Sequence, residues 1–262
     1  MSQQNAVFQK KFINTFEELK KIPVRERWQY YLARSLLSQK KGFILQNEAL
    51  VTRKEIEAGG VLCQPFWEDS TLNIDSEGRA FSRYRSLHKD FDIMLRKTAF
   101  EKLLRANELL PNHIKIVLKA SLRPISVQQE VFDEEFKNAK IKFPDKSYDE
   151  IYNYTLQFVT DPKVNIPPHA TGGAIDIVLY DTKAKSYLDM GNPVNSIDDL
   201  SWTSNFIGLT DAQISNRKLI TTTMLEAGFA SLASEWWHYS YGDQRWAVYY
   251  DQSQASYGAA NV

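Results

Sequence analysis

Two short stretches of this chain carry residue types that could do chemistry together. The first is Pro167–Asp181, PPHATGGAIDIVLYD, in which His169 sits in a small-residue loop and Asp176 interrupts an apolar run seven positions on. Gly173–Tyr180 (GAIDIVLY) has the length and β-branched content of a buried strand. On such a strand Ala174, Asp176 and Val178 share a face. An ionised carboxylate there is costly to bury unless a cation or hydrogen-bond donors satisfy it. His169 is the nearest candidate partner. Seven extended residues span roughly 23 Å, whereas two groups bound to one zinc each lie about 2 Å from it. The chain must therefore turn back, and Thr171-Gly172-Gly173 permits the turn because glycine accepts backbone angles that other residues avoid. Alone, this pair reads as ordinary structural pairing.

The second stretch is Glu235-Trp236-Trp237-His238, at the head of another predicted strand. By itself it is most simply an edge strand whose aromatics cover the core. Held together, the two stretches offer more. His169, Asp176 and His238 make a three-ligand set with a fourth zinc position open, as a catalytic site requires. Glu235 is then spare and can take a proton from water. Arg123 precedes Pro124, which biases it to an extended backbone at a strand end. From there its always-charged fork could stabilise an oxyanion. Without the zinc set, Arg123 is a surface arginine beside a turn.

The elements that must position these groups follow from periodicity. Helices are expected over 6–20, Arg25–Leu37, Thr98–Leu110, from a Ser126 cap to about Lys140, and over Thr210–Ala227. The last has Thr210 and Gln213 as a capping box and Gly228 as its stop. Strands are expected over Ile114–Leu122, Gly173–Tyr180, Phe229–Ala233, Trp236–Tyr241 and Trp246–Tyr250. Glu57–Asp75, Lys142–Pro168 and Leu188–Ile207 read as mostly irregular connections. Helices and strands mix without a regular βαβ repeat, which favours α+β. The 262 residues carry 32 basic and 32 acidic side chains, a balance that argues against nucleic acid or an anionic membrane as partner. Cys63, the one cysteine, allows neither an internal disulfide nor a multi-Cys zinc site. Residues 1–20 contain no apolar signal region and no run approaches a membrane span, so a cytoplasmic address is expected.

On these residues the chain resembles the D-alanyl-D-alanine dipeptidase family of zinc peptidases, which includes the vancomycin-resistance dipeptidases. His169, Gly172, Ala174 and Asp176 match its metal-binding signature, and Glu235-Trp236-Trp237-His238 matches its second motif in full. Arg123-Pro124 matches its arginine-proline motif, and Asp189-Met190-Gly191 and Asn216-Arg217 extend the similarity over roughly residues 95–250. The resemblance implies a hedgehog/DD-peptidase-type α+β fold: a central antiparallel sheet carrying one zinc, flanked by helices. It would be a single domain over 1–262, with 1–60 as a helical N-terminal extension. It also implies His169, Asp176 and His238 as ligands, Glu235 as general base and Arg123 as oxyanion stabiliser.

Three departures bear on substrate. Pro167 replaces a frequent serine, Asn195 is the nearest equivalent of an aspartate that can meet the substrate's ammonium group, and Leu122 replaces a common tyrosine. The expected activity is hydrolysis of D-Ala-D-Ala or a similar small D-amino-acid dipeptide. The competing readings are a zinc carboxypeptidase or endopeptidase acting on peptidoglycan stem peptides, and a metal-stabilised binding protein without turnover. An intact Glu235 argues against the last, since a purely structural zinc site needs no spare base. Oligomeric state is left open.

Overall fold

A computed structural model of the chain describes residues 38, 41–44, 48–68, 92–196, 200–203 and 207–262. The helices expected over 6–20 and 25–37 lie outside the described residues. Along the chain, β1 (Leu50–Thr52) runs into α1 (Arg53–Ala58), β2 (Leu62–Cys63) and a 3-10 turn (Phe66–Glu68). Next come β3 (Met94–Arg96), α2 (Lys97–Leu109), β4 (Ile114–Ala120), α3 (Ile125–Lys142) and α4 (Tyr148–Thr155). A second 3-10 turn (Pro168–Thr171) leads to β5 (Ala174–Asp181) and β6 (Ser186–Tyr187). The chain ends on α5 (Asp211–Glu226), β7 (Ala230–Leu232), β8 (Glu235–Ser240) and α6 (Gln244–Tyr249). This is an α+β architecture, with six α-helices among the described residues. No helix among them is long and apolar enough to cross a membrane.

The main sheet runs β2-β4-β5-β8-β7, with β6 added to β5, while β1 and β3 form a separate ladder. The expectation of an antiparallel sheet is corrected at one edge: β2 pairs with β4 in parallel, and the sheet is mixed. Parallel neighbours need a crossover, and the chain supplies one by passing through α2 between β2 and β4. Within the expected N-terminal extension, the described residues include a strand, β1, as well as the helix α1. On β5, Ile175, Ile177 and Leu179 alternate with Asp176. They join Ile116 and Leu118 of β4, Leu103 of α2, and Ile220 and Met224 of α5 in the main core. Each such buried side chain contributes roughly 1.5–3 kcal/mol. Their burial sets the strand's facing, so a one-residue slip would bury Asp176 in that core instead.

α5 starts and stops where the sequence predicts: the Thr210 side chain accepts from Gln213 N, and Gly228 beyond it has φ +98°. Two local expectations are corrected, at the start of α3 and at Trp246–Tyr250. α3 begins at Ile125 with Pro124 in the capping position, so Ser126 lies inside the first turn and Gln129 instead donates to Asp133. Proline's fixed φ suits a helix entry, which moves the start forward. Lys142–Pro168 is mostly irregular as expected, apart from the short helix α4, capped reciprocally by Ser147 and Glu150. The Ser-x-x-Glu signature was present in the sequence. Trp246–Tyr250 is not a strand but lies on α6 and its end. Gly242, at φ +74°, turns the chain, and Asp243 then accepts from Trp246 N as N-cap.

Candidate metal centre

β5 lies in the middle of the sheet between β4 and β8, and Asp176 stands directly opposite His238 in the β5–β8 register. Residues opposed across antiparallel strands hold their side chains within interaction range. The backbone ladder thus delivers two of the three candidate ligands to one place. Asp176 Oδ1 lies 2.9 Å from His238 Nδ1.

His169 arrives from the 3-10 turn before β5. Gly172 reverses the chain at φ +75°, in the left-handed region that favours glycine. Gly173 then passes so close to Tyr241 that an added Cβ would lie 2.2 Å from the Tyr241 carbonyl oxygen. Four successive carbonyls of the turn are bonded from distant elements. Arg123 N donates to His169 O at 3.1 Å, Ala260 N to Ala170 O at 2.7 Å, and Arg96 N to Gly172 O at 2.8 Å. Arg96 Nε donates to Thr171 O at 3.0 Å. With its backbone groups satisfied this way, the loop holds His169 firmly. The imidazole lies 4.8 Å from that of His238, centroid to centroid.

His169, Asp176 and His238 are all buried, and each offers a ligand atom within 4.8 Å of the others. Their hydrogen bonds test whether a metal fits. His169 Nδ1 lies 2.7 Å from Ser121 O. A carbonyl can only accept, so Nδ1 carries the proton, and in the neutral ring Nε2 is left with a lone pair. That Nε2 faces Asp176 Oδ2 at 3.4 Å. Two acceptors so placed call for a cation between them. Ligands bonded at 2.0–2.1 Å in a tetrahedral zinc site stand roughly 3.3 Å apart, close to this spacing. His238 Nε2 is buried without a hydrogen-bond partner among the described residues. The donor set fits a divalent metal.

Glu235 opens β8, three residues before His238. Residues three apart on a regular strand face opposite sides. Here the β7–β8 register shifts between Ser231 and Leu232, with extra β8 residues bulged against one step of β7. Glu235 and His238 can then serve one site. Burial pushes the Glu235 carboxyl above its ordinary value and Asp176 adds to this, while His238, Arg245 and Arg123 oppose it.

Arg123 stands just beyond the end of β4, half-buried, as its place before Pro124 predicts. Its Nη1 donates to Gln128 Oε1 at 3.0 Å, and Gln128 Nε2 donates to Thr160 O at 3.2 Å. Gln128 and Arg245 were not singled out from the sequence; a Pro-x-x-x-Gln spacing and a cation one turn after a Gly-Asp corner are the only local signals. Asp189-Met190-Gly191 and Asn216-Arg217 meet in space. Asn216 Nδ2 donates to Asp189 O at 2.9 Å, and the buried Arg217 donates through Nε to Met190 O at 2.6 Å. Arg217 Nη2 and Trp236 Nε1 share Asn192 Oδ1, at 3.3 and 2.7 Å, which ties this segment to β8. Pro167 and Leu122 are buried, and Asn195 takes a left-handed conformation at φ +65°. His113 sits at the far end of β5, where its carbonyl accepts from Thr182. Burial pushes the Cys63 thiol up to about 12, which disfavours the thiolate.

An α+β fold with a buried His–Asp–His set on two central strands and the turn before one of them, and a carboxylate beside it, has the form of a metallopeptidase. A family model described as D-ala-D-ala dipeptidase matches residues 85–257, and the chain belongs to that family. It is 33% identical over 165 residues to a D-alanyl-D-alanine dipeptidase of Synechocystis sp., a match covering 53% of this chain and 64% of that relative. It is also 35% identical over 77 residues to a D-alanyl-D-alanine dipeptidase of Enterococcus faecalis, covering 29% of this chain and 37% of that one. The chain thus spans less than two thirds of the length of these relatives.

Proposed function

We propose that the protein is a zinc dipeptidase that hydrolyses D-Ala-D-Ala or a similarly small D-amino-acid dipeptide, at a cytoplasmic address. The observation that supports this most is the buried His169–Asp176–His238 set with Glu235 alongside. The dipeptidase relatives support the substrate class. A metal ion held by those three side chains supplies Lewis acidity, which polarises a peptide carbonyl and acidifies water.

The remaining work falls to the protein. Glu235 takes a proton from the attacking water as its oxygen bonds to the peptide carbon. It then delivers that proton to the amide nitrogen as the C–N bond breaks. Burial that raises its carboxyl makes it the stronger base for this task. Arg123 offers N–H donors to the oxyanion that develops on the carbonyl oxygen, and Gln128 holds its guanidinium in place. Ser121 fixes the His169 ring through its carbonyl.

Zinc-loaded protein is expected to release D-alanine from D-Ala-D-Ala. Glu235→Gln should slow that release by roughly 10²–10⁴-fold while metal content stays at the wild-type level. Preference for a pentapeptide stem over the free dipeptide would assign a carboxypeptidase or endopeptidase instead. Equal turnover by variant and wild type would remove Glu235 as the base. A metal-loaded wild type that cleaves neither peptide would favour a binding protein.

A further inference from the structure

The site carries a second guanidinium that the chemistry above does not use. Arg245 lies in the first turn of α6, half-buried, with Nη2 3.4 Å from Thr160 Oγ1. Thr160 is the residue whose carbonyl accepts from Gln128, and Gln128 in turn accepts from Arg123. Two cations from distant parts of the sequence are thereby attached to opposite ends of one Gln128–Thr160 bridge. Arg123 N also donates to His169 O at 3.1 Å, which sets this bridge beside the turn that carries His169.

The covalent structure of a dipeptide says what this second cation is for. The scissile nitrogen and the terminal carboxylate hang on the same α-carbon. A group that receives the carboxylate must therefore stand beside the group that protonates the nitrogen, which is Glu235. Substrate binding also brings a new negative charge next to the half-buried Glu235 and the buried Asp176, and that charge is costly to desolvate without a cation. Arg123 is tied to the ligand turn by its backbone N–H on His169 O and to Gln128 by its guanidinium, and the chemistry above uses it at the carbonyl. A chain extending past the scissile residue would place a neutral amide where the carboxylate sits.

We propose that Arg245 receives the free α-carboxylate of the substrate's C-terminal residue, and so restricts the site to peptides cleaved one residue from that end. This rests on the dipeptidase reading. The test compares kcat/KM of the zinc-loaded full chain for D-Ala-D-Ala and for its C-terminal amide, in wild type, Arg245→Gln and Arg245→Lys. Wild type is expected to prefer the free acid by roughly 10–100-fold, the scale of hydrogen bonds to a charged group. Arg245→Gln should lose that preference through a raised KM for the free acid, while a wild-type zinc content and circular dichroism spectrum show that the variant is folded. Arg245→Lys should recover part of it. A preference that survives in Arg245→Gln, or an equal fall for both peptides, overturns the assignment. A wild type that cleaves acid and amide equally overturns it while leaving the dipeptidase reading standing. A wild type that cleaves neither removes that reading and this inference together.

Discussion

The floor of the site and its rim are held by different means. On the floor, Asp176 and His238 are partners in a backbone ladder, and the His169 turn is fixed by four carbonyls bonded from distant elements. On the rim, Arg123, Gln128, Thr160 and Arg245 are joined mainly through side-chain hydrogen bonds of 3.0–3.4 Å. Backbone pairing in a packed sheet is cooperative and tolerates little displacement. Side-chain bridges can be retuned one residue at a time. A metal site needs the first kind of support, because ligand distances must hold within tenths of an ångström. A rim proposed to face substrate suits the second, because changing it would alter what is bound and leave the candidate ligand set in place.

Breaking the floor should therefore cost most. His238→Ala is expected to lose most of its bound zinc by metal analysis and with it nearly all turnover. Full zinc retention would show that His238 is not a ligand. Arg123→Ala tests the rim where, in the proposed mechanism, it meets the reacting carbonyl. It should lower kcat by roughly 10²–10³-fold, the scale for one oxyanion donor, with zinc content unchanged. Near-normal turnover would return Arg123 to the role of a surface arginine.

The smallest effect is expected one bond further out. Gln128→Ala removes the bridge but leaves both guanidiniums, so it should cost about 1 kcal/mol of transition-state binding, or roughly fivefold in kcat/KM. The loss should fall mainly on kcat, and Gln128→Glu, which keeps an acceptor for Arg123, should recover part of it. If Gln128→Ala cost as much as Arg123→Ala, the rim would be as rigid as the floor and the contrast would fail. Loss of zinc in that variant would break it too, by showing that floor and rim are one unit.

The floor was the more legible region. The strand over Gly173–Tyr180, the turn at Gly172 and the pairing of residue types in two short motifs are all written within a few positions of one another. α5 was legible for the same reason, since its capping box and glycine stop are local. α4 carried an equally local signal in Ser147 and Glu150, but proline punctuation and polarity on either side drew the reading toward loop. The aromatic run at Trp246–Tyr250 pointed to a strand because aromatics favour strands. Asp243, accepting from Trp246 N, caps the segment as a helix instead, and with it sets where Arg245 stands.

By itself the sequence determined which residues could bind a metal, which carboxylate was left over, and that a glycine turn had to fold His169 back toward Asp176. These follow from residue chemistry and short-range geometry. Only the tertiary structure decided that β2 joins the sheet in parallel, that a Ser121 carbonyl fixes the His169 ring, and that Arg245 shares a bridge with Arg123. Each of these is a contact between segments far apart along the chain. No local propensity specifies such contacts; they are set by which faces the core buries and by the register in which the strands then pair.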